Sequence, residues 1–72
     1  MSRTALLQRD IYPPDLLDLC EREFSALCAV ARRNVGNDLE VVINVQPDAP
    51  PETADEFLNF LLCAALERRF KG

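Results

Sequence analysis

The sequence predicts an α+β fold: a two-layer β-α-β-β-α arrangement, with a short three-stranded sheet and two helices packed on one face. Three observations carry that prediction. Two apolar runs, Cys28–Arg33 and Leu39–Gln46, flank a segment rich in Gly and Asn, the signature of an antiparallel hairpin. Two other segments, after Pro13-Pro14 and after Pro50-Pro51, carry apolar residues at spacings of three and four, the helical period. The chain has 72 residues, which suits a single small domain over 1–72.

Residues 5–12 alternate imperfectly, with Leu7, Arg9 and Ile11 on one side and Leu6, Gln8, Asp10 and Tyr12 on the other, and read as an edge strand. Pro13 and Pro14 end it, because neither has an N–H to donate, and a proline suits the first turn of the helix that follows. Asp15 and Asp18 favour the positive end of that helix. Leu16, Leu17, Cys20, Phe24 and Leu27 share one stripe. No glycine marks the helix end, which is expected near Ser25–Leu27, with continuation to Arg32 as the alternative.

Cys28–Arg33 then forms a strand, Asn34–Asp38 a five-residue turn, and Leu39–Gln46 the strongest strand. Leu39, Val41, Ile43 and Val45 line one of its faces, while Glu40, Asn44 and Gln46 line the other with Val42 among them. Pro47–Pro51 is a stiff connector. Thr53 and Glu56 have the spacing of a capping box, in which the Thr hydroxyl accepts the N3 amide and the Glu carboxylate reaches back. The last helix is expected over about 54–69, with Arg68, Arg69 and Lys71 at its negative end.

Composition narrows the function. Apolar residues make up 49% and charged residues 28%, the balance of a folded domain rather than a disordered tail. The net charge is −4 and the eight basic residues are dispersed, so no basic stripe exists to neutralise a nucleic-acid backbone. The chain has no His, hence no Ser-His or Cys-His pair. Cys20, Cys28 and Cys63 contain no Cys-x-x-Cys, and an odd count argues against a disulfide framework. The N-terminus lacks the apolar run of a signal peptide, and no unbroken apolar stretch is long enough for a membrane span. These features imply reduced thiols in a cytoplasmic protein, no cofactor, no metal and no catalytic residue.

The final helix stands apart. From Glu56 to Leu66 nearly every residue is apolar, leaving Asp55, Asn59, Cys63 and Glu67 as a narrow polar line. Phe57, Leu61, Ala64 and Ala65 form one stripe; Leu58, Leu62 and Leu66 flank it on one side and Phe60 on the other. A helix lying on one sheet face needs a much narrower apolar arc. Either this small domain wraps its second helix, or a flank faces a partner; uncovered apolar surface of that size is otherwise a liability. The candidate partner-binding residues are Leu58, Asn59, Phe60, Leu62, Cys63 and Leu66. A strand edge after Ala5, open to an added peptide strand, is the other candidate.

Ile11-Tyr12, the helix with Leu17 and Phe24, and the closing Glu56–Asn59 with Leu61, Leu62, Leu66 and Arg68 resemble the HxsD-like proteins. These are small companions of radical enzymes in His-Xaa-Ser peptide-modification systems. The likeness spans about residues 6 to 69, and departs from the pattern at Phe60, Cys63 and Ala64 and in the chain ending at Gly72. The resemblance implies an accessory role, with a protein or peptide as partner and no catalytic residue to carry over. Self-association through the last helix is also expected. A second expectation, from another class, is a small regulator whose acidic face (Asp15, Asp18, Glu21) occludes a basic partner. A third is metal or redox chemistry at the cysteines.

Overall fold

The computed structural model describes residues 2–71. The elements run β1 (Ser2–Gln8), α1 (Pro14–Glu23), β2 (Cys28–Val35), β3 (Asp38–Val45) and α2 (Thr53–Lys71). The strands form one antiparallel sheet in the order β1-β3-β2. Leu39, Val41, Ile43 and Val45 point from the central strand into a core shared with Leu16, Leu17 and Cys20 of α1 and Phe57, Leu61 and Ala65 of α2. Both helices therefore lie on the same face of the sheet, as the α+β reading requires. Burying one such aliphatic or aromatic side chain contributes about 1.5–3 kcal/mol, so β3 anchors the domain.

Among the described residues no element covers the opposite sheet face. By alternation from the buried residues of β3, it carries Thr4, Leu6, Val42, Ala29 and Ala31. Leu6 is 60% exposed there.

Several boundaries differ from expectation, each for a local reason. β1 runs over 2–8 rather than 5–12. Its pairing ends at Gln8, opposite Asp38, where β3 begins, so residues beyond it meet no partner strand. The chain turns instead: the Ile11 N–H donates to the Gln8 carbonyl at 3.1 Å and the Tyr12 N–H to the Arg9 carbonyl at 3.3 Å.

The hairpin turn is two residues, not five. Val35 pairs with Asp38, leaving Gly36 and Asn37 at the tip. Gly36 has φ +60°, and no other described residue has a positive φ, which fits a primed turn with glycine first. Such a turn matches the twist of the strands and lets β2 pair through to Val35.

α1 starts at Pro14 as expected but stops at Glu23, with Phe24 as its C-cap. The N–H groups of Leu27 and Cys28 both donate to the Phe24 carbonyl, at 2.9 and 3.0 Å, and fold the chain into β2.

The capping box does not form. Thr53 is fully buried, and both its hydroxyl and its N–H donate to the Pro50 carbonyl, at 2.7 and 3.1 Å. The Glu56 N–H donates to the Glu52 carbonyl at 3.0 Å instead of meeting the Thr53 hydroxyl. The bend at Pro50-Pro51 brings Glu52 into the helical ladder, so the helix start lies earlier than the side-chain motif implied.

Candidate functional site

Side chains four apart line up as ridges along a helix, and α2 has four. The ridge Thr53, Phe57, Leu61 and Ala65 is buried in the core. The ridge Phe60, Ala64 and Arg68 faces α1: Phe60 packs on Phe24, and Arg68 donates to Asp15 at 2.8 Å. The ridge Leu58, Leu62, Leu66 and Phe70 starts half-buried and climbs outward. Leu62 and Leu66 are 43% and 42% exposed, and Phe70 is 88% exposed. Beside it runs the exposed polar ridge Asp55, Asn59, Cys63 and Glu67.

Five of the six candidate residues thus belong to two adjacent ridges: Leu58 packs partly on the core, and Asn59, Leu62, Cys63 and Leu66 are left exposed. Phe60 belongs elsewhere. Although 39% exposed, its ring meets Phe24 edge to face, so the domain's own α1 uses that flank. Phe70 is the residue that sequence reasoning missed. Ending the helix at Arg69 placed it outside the element, whereas its position four after Leu66 extends the same ridge.

Charges fix the helices without adding a charged site. Asp15 pairs with Arg68, while Asp18 and Glu21 share Arg32 at 2.5 and 2.9 Å. Arg68 holds the Asp15 carboxyl below the usual carboxylate range, chiefly by its hydrogen bond. The enclosed Oε2 of Glu21 takes no well-directed hydrogen bond; its contact with Arg32 Nε is a charge contact whose N–H misses the oxygen. Arg3 also pairs with Asp55, tying β1 to the first turn of α2.

Cys20 and Cys28 are buried, and burial raises both thiol pKa values, with Glu21 reinforcing the shift. Cys63 is exposed on the polar ridge. All three are free thiols. Among the described residues no group of three or more His, Cys, Asp or Glu could hold a metal ion. No described helix is long and apolar enough to cross a membrane.

The fold and this helix define a small α+β domain with an unspent apolar ridge on its second helix. No protein-family model matches the chain, and neither a curated protein nor a solved structure is significantly similar to it.

Proposed function

We propose that this chain is a non-enzymatic accessory protein that works by association, pairing with a second copy of itself through the outward ridge of α2. The carrying observation is the outward ridge of α2, exposed at Leu62, Leu66 and Phe70 beyond a Leu58 that packs partly on the core, although the inward ridge already fills that core. Exposed apolar surface so ordered favours a protein partner over a polar substrate.

The charge pattern of α2 favours a copy of the same helix, laid antiparallel. The helix opens with Asp55 and Glu56 and closes with Arg68 and Arg69. About a two-fold axis near Leu62, Leu58 meets the partner helix near its Leu66, and Asp55, which also pairs with Arg3 of its own chain, lies near the partner's Arg69. The contact is self-complementary, as a two-fold interface must be, and opposite charges at the rim set its direction.

The resemblance to HxsD-like proteins supplies the pathway in this proposal: the accessory presents a precursor peptide to a radical enzyme. Its free cysteines support a reducing, cytoplasmic setting. The acidic-regulator reading gains no such support, because Asp15, Asp18 and Glu21 are each held by an arginine of the same chain.

Size-exclusion chromatography with light scattering tests the pairing. The wild type is expected at twice the 8.1 kDa chain mass and Leu66→Glu at the monomer mass. A wild type that stays monomeric at every concentration, or a Leu66→Glu variant that still pairs, overturns it.

A further inference from the structure

A cavity of about 270 Å³ opens where the segment after β1 meets the β2–β3 hairpin. No described residue of α2 lines it, so it is separate from the outward ridge of that helix. Its apolar wall is Pro14, Leu17 and Leu39, and its polar groups are Arg9, Tyr12 and Asn34. Arg32 and Arg33 complete the lining, but their guanidinium groups pair with Asp18, Glu21 and Glu40. Arg9 is different. One of its N–H groups donates to the Gly36 carbonyl at 2.9 Å, which holds the side chain at the hairpin tip, and no described carboxylate pairs with it.

No Asp or Glu lines the cavity, although the chain carries a net charge of −4. A cation with unspent donors, a phenol and an amide thus surround an apolar wall of modest size. Ligand sites combine apolar lining with a few converging polar groups in this way. The complementary ligand has one anionic head and a short apolar body. A single unpaired guanidinium suits a carboxylate, which it can hold through two parallel N–H bonds.

We propose that this cavity binds a carboxylate carried on a short aliphatic stem, with Arg9 as the anchor and Tyr12, Pro14 and the edge of Leu39 against the stem, over the buried Leu17. Two sources carry that chemistry: the C-terminus of a peptide and a free short-chain acid. The neighbouring strand makes room for the peptide. The Gln46 N–H donates to the Leu27 carbonyl at 2.8 Å, which sets the phase of the β2–β3 ladder. By alternation the backbone groups of Val30, Arg32 and Asn34 then face the free edge of β2. A peptide added parallel to β2 there would direct its carboxyl end toward Arg9. The claim stands or falls independently of pairing through α2.

NMR titration of the full chain tests it with three probes: acetyl-Ala-Val-Leu as the free acid, the same peptide as the C-terminal amide, and pentanoate. The acid peptide is expected to shift the Arg9 Nε–H, the Asn34 side-chain amide and the Leu17 methyls saturably. Amidation and Arg9→Gln should each weaken binding about tenfold or more, while Arg9→Lys retains part of it. Pentanoate binding as tightly as the peptide supports the site and makes a free acid its source. Tighter peptide binding, with shifts at the Val30, Arg32 and Asn34 amides, supports it and makes a peptide terminus the source. Equal binding of acid and amide overturns the proposal without any variant. So does an Arg9→Gln protein that binds like the wild type, or silence from both acids at millimolar concentration.

Discussion

The ring of Phe24, at the C-cap of α1, meets the ring of Phe60 edge to face, with centroids 5.6 Å apart and planes at 70°. The same Phe24 ring meets Phe57 at 5.4 Å and 80°, so one aromatic residue grips α2 at two positions. Edge-to-face pairs contribute about 0.5–1.5 kcal/mol beyond the area they bury. A double-mutant cycle of Phe24→Leu and Phe60→Leu should therefore give a coupling energy of about 0.5–1.5 kcal/mol in urea unfolding. Simple additivity would mean the rings do not interact.

Asp15 gives stability a defined pH dependence. Its folded pKa lies below the unfolded value because the Arg68 hydrogen bond stabilises the carboxylate and outweighs desolvation, which acts the other way. The native state therefore binds the proton less readily than the unfolded chain. The contribution is fully present above the ordinary carboxylate pKa and is lost as pH falls through the folded one. The pair is exposed, so the effect is small and weakens with salt. Urea melts of wild type and Asp15→Asn should differ near neutral pH and converge in acid. A gap that widens as pH falls would contradict the assignment.

The three thiols should separate by reactivity. Cys63 is exposed, whereas Cys20 and Cys28 are buried with raised pKa values, and only thiolates attack disulfide reagents. Titration with an aromatic disulfide should consume a single thiol quickly in the native protein and three after denaturation. Rapid reaction of all three without denaturant would show that the core opens readily.

Thr53 and Glu56 distinguish the observed helix start from a capping box. Thr53→Val keeps the shape but removes the hydroxyl bonded to Pro50, and should cost about 1 kcal/mol. Glu56→Ala, with no reciprocal bond to lose, should stay within about 0.5 kcal/mol of the wild type. Equal losses from both changes would restore the box.

The core and the element order were legible because period-two and period-3.6 patterns report burial directly. Leu39, Val41, Ile43 and Val45 alternate so regularly that only their strand partners remained open. Boundaries were less legible because they depend on distant chain. The end of β1 is set by where β3 begins, and the Thr53 hydroxyl by the bend at Pro50, neither of which local spacing encodes. The candidate site was legible as an apolar excess on α2, but not its division. Which flank α1 takes depends on the packing of Phe24, and that assigned Phe60 to the fold. Phe70 was lost to a helix end placed at a run of cations.

Disulfide trapping on α2 tests the central claim most directly, because it reads both the contact and its direction. With Cys20 and Cys28 buried, Cys63 lies next to the proposed two-fold axis and should form a covalent dimer under mild oxidation. On a Cys63→Ser background, mixing Asn59→Cys with Leu66→Cys protein should trap a mixed dimer faster than Leu66→Cys traps itself. That pattern is the expected signature of antiparallel α2 helices. Trapping of Leu66→Cys with itself ahead of the mixed pair, or no trapping at any of these positions, would contradict the account.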